Sequence, residues 1–143
     1  MQSTVNIPLA AGALLSAVAA LLHLGIVAGG PAWYRFFGAG ERFARAAAQG
    51  RWYPTLVTLG IAAVLFTWSA YALAGAGVIG GLPFLKAALV AITAVYLVRG
   101  VAFAPLVRAR GGAITPFVVW SSVICLGYGV VHLVGLVQRW AAL

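Results

Sequence analysis

His23, Glu41, Tyr96 and Arg99 are residues of this sequence whose types could transfer a proton or bind an anion. Tyr96 and Arg99 are three residues apart, so a helix would place them on one face. His23 and Arg99 lie toward the same end of two apolar segments, and Glu41 follows the first of these. Arg99 could anchor an anionic headgroup or small acidic ligand, with His23 as proton donor or acceptor. We therefore predict a ligand-binding site made of these four residues.

Two structural interpretations of the same residues stay open. A charged side chain inside an apolar segment needs a partner or access to water. Glu41 is the only acidic residue of the sequence, so an Arg99–Glu41 pair that ties the chain together is one alternative. In the other, the Arg99 side chain simply extends to the membrane surface.

A second group of polar and aromatic residues is predicted at the opposite, external end of the apolar segments: Trp68, Tyr71, Tyr128 and His132, with Lys86 nearby. Aromatic side chains at a membrane boundary usually anchor helices at the level of the lipid headgroups. A pocket formed by the same residues is the alternative.

Stripes of small or polar residues recur at helical spacing in three apolar segments. Such stripes usually let membrane helices approach closely, although they could also line a polar pocket. They comprise Gly12, Ser16, Ala19 and His23; then Gly60, Ala63, Thr67, Ala70 and Ala74; and finally Ser121, Cys125, Tyr128, His132 and Gly135.

The elements that must position these residues are four apolar segments, at residues 8–29, 54–76, 83–104 and 116–137. As helices, segments of this length would be about 33–35 Å long, enough to cross a bilayer. Each has a proline at or near its first turn, where a missing N–H costs little. The sequence therefore predicts an all-α membrane protein, a four-transmembrane-helix bundle, as a single domain over residues 1–143.

Composition agrees with lipid as the main solvent. Apolar residues make up 64% of the chain and charged residues 7%, whereas a soluble domain has about 25% charged residues. The net charge of +8 is typical of the basic flanks of membrane helices and forms no soluble basic face. We expect membrane lipids, and no nucleic acid, as partners.

The distribution of basic residues predicts the orientation. Seven of them fall in or beside the first and third connections, and two on the other side. By the positive-inside rule, we predict a multi-pass protein of the inner membrane with both termini on the non-cytoplasmic side. The first connection, residues 30–53, interleaves aromatic residues with arginines and is predicted to lie at the membrane interface. Within it, Glu41 and Arg45 have the spacing of a helical ion pair.

No cofactor is predicted. His23 and His132 lie toward the C-terminal ends of antiparallel segments, about 15 Å apart along the membrane normal at a rise of about 1.5 Å per residue. One haem could not join them within a single chain. Cys125 and His132 lie two turns apart and have no metal-ligand spacing, so no metal site is predicted.

The inventory favours a non-catalytic membrane module that binds a lipid or small anionic ligand, or that packs on another membrane protein or a second copy of itself. We assign no catalytic residue. A homodimeric transporter or channel for an anionic or neutral solute is one alternative, since cation exchange normally needs a carboxylate inside a helix. A lipid-modifying enzyme using the His23 group is another, because acid–base chemistry needs only one or two such side chains.

Overall fold

A computed structural model describes residues 5–143, in which the chain forms five helices and no strands. They are α1 (Ile7–Phe36), α2 (Glu41–Ala48), α3 (Tyr53–Ala76), α4 (Leu85–Ala109) and α5 (Pro116–Arg139). Within this range, four helices, all but α2, are long and apolar enough to cross a membrane. The chain is therefore an all-α, multi-pass membrane protein, as its sequence predicts.

The helix starts follow the predicted signals closely. Pro54 is the second residue of α3, and Pro116 is the first residue of α5. The Thr115 side chain caps α5 by accepting a hydrogen bond from the Val118 N–H at 3.3 Å. At α1, Asn6 takes the same role, and its Oδ1 accepts from the Leu9 N–H at 2.9 Å.

Three helices extend beyond their predicted ends, α5 by only two residues to Arg139 and α1 and α4 by more. α1 continues past Gly30, where φ is 65° and ψ is −150°, and Pro31 then starts a further helical stretch. Glycine tolerates this non-helical backbone, so the predicted boundary at residue 29 coincides with a break rather than an end. α4 runs through Pro105 to Ala109 and is closed by Gly111, which has a φ of 75°. The terminating signal was this glycine and not the proline.

Contacts between Cα atoms divide the chain into two compact units. Residues 5–16 and 68–143 form one, here called the four-helix unit, because it contains parts of α1 and α3 and all of α4 and α5. Residues 17–67 form the other, here called the hairpin unit, which holds the rest of α1, α2 and most of α3.

Glycines allow the helices of the four-helix unit to approach closely. A Cβ atom added to Gly100 would lie 2.7 Å from the backbone nitrogen of Leu126, and one added to Gly129 would lie 2.9 Å from that of Leu97. α4 and α5 thus pack almost backbone to backbone, as small residues in membrane helices permit.

The small-residue stripe predicted on α3 is only partly a packing surface. Ala74 is buried, but Gly60, Ala63 and Thr67 are exposed. The Thr67 hydroxyl instead donates to the Ala63 carbonyl oxygen at 2.9 Å. A helix that is apolar all round gives no signal for its rotation about its own axis, and packing of this part of the stripe against another chain stays a prediction.

The hairpin unit folds the first connection onto its flanking helices. Tyr34, Ile26 and Ala44 form a buried cluster, so α2 packs against the end of α1. The Tyr34 hydroxyl also lies 3.1 Å from the Thr58 Oγ1 atom of α3. The aromatic residues of this connection therefore contribute to a core and do not all face the membrane surface.

Candidate functional site

The structure divides the predicted four-residue site between the two units. His23 and Glu41 belong to the hairpin unit, and Tyr96 and Arg99 belong to the four-helix unit. Each residue has contacts within its own unit, described below. A combined site made of all four stays a prediction.

Tyr96 is at the centre of a buried aromatic cluster in the four-helix unit. Its ring centroid lies 5.0 Å from that of Trp68, 5.4 Å from that of Tyr128 and 5.2 Å from that of His132. Its hydroxyl lies 2.9 Å from the Ser16 Oγ atom. The structure thus brings Tyr96 together with three members of the second predicted group, Trp68, Tyr128 and His132.

The position of a residue along its helix does not give the reach of its side chain, so these contacts of Tyr96 could not be predicted from the sequence. Tyr96 lies near the middle of α4, and its long side chain reaches across to α1, α3 and α5. Tyr71, the fourth member of the second group, lies elsewhere, and its hydroxyl donates to the Pro83 carbonyl oxygen at 3.2 Å.

His132 is fully buried beside this cluster. Its Nδ1 atom lies 2.8 Å from the Tyr128 carbonyl oxygen, and since a carbonyl can only accept, Nδ1 carries the proton. The Nε2 atom is enclosed and has no hydrogen-bond partner among residues 5–143. Gly12 of α1 faces the imidazole ring so closely that an added Cβ would lie 2.7 Å from Cε1.

His23 shows the same local hydrogen bond in the hairpin unit. Its Nδ1 atom donates to the Ala19 carbonyl oxygen at 2.7 Å, and the side chain is partly exposed. This bond fixes the ring against its own helix and leaves Nε2 as the atom available to a ligand.

Glu41 takes its ion pairs from neighbouring arginines of the hairpin unit. Its carboxylate lies 3.1 Å from the Arg35 Nε atom and 3.7 Å from the Arg45 Nε atom. The second distance confirms the predicted Glu41–Arg45 pair. The hydrogen bond from Arg35 holds the pKa of the Glu41 carboxyl below its usual range.

Arg99 has a different environment in the four-helix unit. Its guanidinium carbon lies 3.5 Å from the centroid of the Phe103 ring. The Nη2 atom donates to the Ser121 hydroxyl at 3.5 Å, at the limit of a hydrogen bond. The Nη1 atom is enclosed and has no hydrogen-bond partner in residues 5–143.

Two open clefts of the hairpin unit, which the predicted site does not include, have the chemistry of a binding surface. The first has a volume of about 360 Å³ and is lined by Arg42, Arg45, Ala46, Gln49, Arg51 and Tyr53. The second has a volume of about 500 Å³, and its lining is mainly apolar, with Val27, Tyr34, Trp52, Leu56 and Leu59 among its residues. The mixture of arginine and aromatic residues in residues 30–53 was the signal for this surface.

Arg51 lines both clefts. Its Nε atom donates to the Gln49 side-chain oxygen at 3.2 Å, which holds the guanidinium at the boundary between the basic and apolar surfaces.

No protein-family model, curated protein or solved structure matches this chain. The arrangement of its own residues therefore carries the functional argument.

Proposed function

We propose that this protein is a non-catalytic membrane module whose hairpin unit binds an anionic lipid. The observation that carries the proposal is the position of Arg51 at the junction of a basic cleft and an apolar cleft. A phosphate-bearing headgroup suits the first cleft, and the adjoining part of the lipid suits the second. A lipid is the ligand class that combines both chemistries in one molecule.

The charges of the basic cleft support an anionic ligand. Arg42, Arg45 and Arg51 line it, and Glu41, the only acidic residue of the sequence, is paired with Arg45 and with Arg35. The cleft therefore has an excess of positive charge. Guanidinium groups match the geometry of phosphate oxygens and form charge-assisted hydrogen bonds with them.

The apolar cleft supports a ligand with a hydrocarbon part. Leu56 is 58% exposed and Leu59 is 41% exposed, so both present apolar surface. Trp52, which is 72% exposed, borders the same cleft and has the amphipathic character of residues at a membrane interface.

The test is native mass spectrometry of the protein released from nanodiscs that contain equal amounts of phosphatidylglycerol and phosphatidylcholine. The wild type is expected to retain phosphatidylglycerol selectively. The Arg51→Gln variant should retain it about tenfold more weakly, because a hydrogen bond to a charged group contributes about 1.5 kcal/mol.

Arg110→Gln is the matched control, because it removes the same charge from an exposed residue that lines neither cleft. Equal retention of both lipids by the wild type, or an equal loss of phosphatidylglycerol in the two variants, would contradict the proposal. A second membrane protein retained in place of lipid would favour an accessory subunit. The mass of the wild type also tests the predicted homo-oligomer.

We also propose the inner membrane as the location, with both termini on the non-cytoplasmic side. The count of seven basic residues against two supports this orientation. Fusion of a reporter that is active only outside the cytoplasm to Leu143 is expected to give activity. A cytoplasmic reporter signal from the same fusion would refute the orientation.

A further inference from the structure

Arg99 lies inside a membrane-length helix and is directed toward the C-terminal end of that helix. It is ten residues before the end of α4 at Ala109, which corresponds to about 15 Å along the helix. Its guanidinium contacts Phe103, one turn closer to that end. The charge therefore lies between about 9 and 15 Å from the end of α4, because the Phe103 ring is itself tilted toward the N-terminal end of the helix.

Ser121 gives an independent measure of the same depth. It lies five residues after the start of α5 at Pro116, or about 8 Å from that end of the helix. Because its hydroxyl accepts from the Arg99 Nη2 atom, the guanidinium lies within about two turns of the end of α5 that begins at Pro116.

The protein supplies little compensation for this charge. The one acidic side chain of the sequence, Glu41, already accepts from Arg35 and pairs with Arg45. Within the described chain, Arg99 has only a ring face and one long hydrogen bond, and its Nη1 atom has no partner. A guanidinium in an apolar span is unfavourable without a counter-charge.

The contacts of Arg99 hold its guanidinium in place, enclose the Nη1 atom and leave another part of the side chain exposed. Phe103 lies against one face of the guanidinium, and Ser121 holds one edge. The Arg99 side chain is partly exposed, and Val95 and Ala102, one turn away on the same face of α4, are also exposed. An amphiphile in the surrounding lipid can therefore approach Arg99 laterally.

We propose that Arg99, Phe103 and Ser121 form a second binding site, which takes the oxyanion of an amphiphile at the surface of α4 and α5. The ligand chemistry is a carboxylate or phosphate attached to a hydrocarbon chain. The exposed part of the guanidinium donates a charge-assisted hydrogen bond to the oxyanion, and the Ser121 hydroxyl, which now donates to the Val118 carbonyl oxygen at 3.2 Å, is adjacent to it. The site does not depend on the clefts of the hairpin unit.

The test uses the full chain carrying Arg51→Gln, so that lipid bound at the hairpin unit contributes least. Protein in detergent micelles is titrated separately with oleate, phosphatidylglycerol, methyl oleate and phosphatidylcholine, and bound molecules are counted by native mass spectrometry. At least one anionic amphiphile should bind at one per chain, and neither uncharged analogue should. Oleate alone would identify a free fatty acid as the source, and phosphatidylglycerol alone a lipid headgroup.

Adding Arg99→Gln should weaken the bound anion about tenfold, whereas adding Arg108→Gln, which removes a charge from the end of the same helix, should leave its binding unchanged. Ser121→Ala keeps every charge and is expected to weaken binding severalfold, so it tests the site even if Arg99→Gln fails to fold. Equal binding of the anion and its uncharged analogue would overturn the proposal. So would unchanged binding in both Arg99→Gln and Ser121→Ala.

Discussion

Gly12 shows how closely one residue can control the contact between two membrane helices. Its Cα faces the buried imidazole of His132, and an added Cβ would lie 2.7 Å from Cε1 and 3.0 Å from Nε2. The imidazole is held by its bond to the Tyr128 carbonyl oxygen and cannot turn aside freely. A side chain larger than the hydrogen atom of glycine therefore does not fit at position 12 without a shift of the helices.

We expect Gly12→Ala to destabilise the protein by about 1–3 kcal/mol, the usual cost of overpacking a core. Gly127→Ala on α5 is the control, because nothing lies within 4 Å of the added Cβ there. Thermal unfolding in detergent measures both. A Gly12→Ala variant as stable as the Gly127→Ala variant would show that α1 is not held against His132.

The hydrogen bond between the Tyr96 and Ser16 hydroxyls can be tested by a double-mutant cycle, which measures the coupling energy of the two side chains directly. Both residues are buried, so Tyr96→Phe leaves the Ser16 hydroxyl without its partner. The expected cost is about 1 kcal/mol, and adding Ser16→Ala should recover part of it, because no orphaned hydroxyl then remains. A double-mutant cycle read by unfolding would show no coupling energy if the two hydroxyls do not interact.

At the scale of elements, the sequence predicted the spans but not their rotations or their partners. The start of α5 was readable from Pro116 and a long apolar run, because both are local signals. The hydrogen-bond partner of Tyr96 could not be predicted in this way, because Ser16 lies 80 residues away and no local sequence signal links the two residues. The exposure of Gly60 was not predictable for a related reason, because lipid-facing and protein-facing residues are equally apolar in α3.

The attachment of α2 to the end of α1 is expected to depend on pH. The Arg35 hydrogen bond lowers the folded-state pKa of Glu41, so the pairing contributes fully above the carboxyl's ordinary pKa. Its contribution is lost as pH falls through the lower, folded-state value. The protection factors of the α2 amides, which are exchange rates corrected for the pH dependence of the unstructured peptide, should therefore fall on acidification below about pH 4.

Arg35→Gln is the control for this effect. It removes the hydrogen bond from Nε, leaves the Glu41–Arg45 pair and should reduce the pH dependence of the protection factors. The same loss of protection with and without Arg35 would place its origin outside this ion pair.

At the scale of the whole chain, the excess of basic over acidic residues is the most informative feature. Nine basic residues share one acidic residue, so anions from outside the chain must balance most of the charge. That much was evident in the sequence, which also predicted Arg99 as the anchor of an anionic ligand. The arginine and aromatic residues around Arg51 were evident in the sequence, but the shape of the two clefts was not, because the second cleft is lined by residues of α1, α2 and α3.

The break at Gly30 has a consequence for the bilayer in which the protein resides. As one straight helix, the 30 residues of α1 would extend about 45 Å, against about 36–38 Å for the 24 or 25 residues of α3, α4 and α5. To match them it would have to tilt by about 35° or thicken the lipid around it, each of which costs free energy. The break leaves a first stretch of about 35 Å and so equalises the four hydrophobic lengths. The break at Gly30 thereby allows all four spanning helices to cross a membrane of the same thickness.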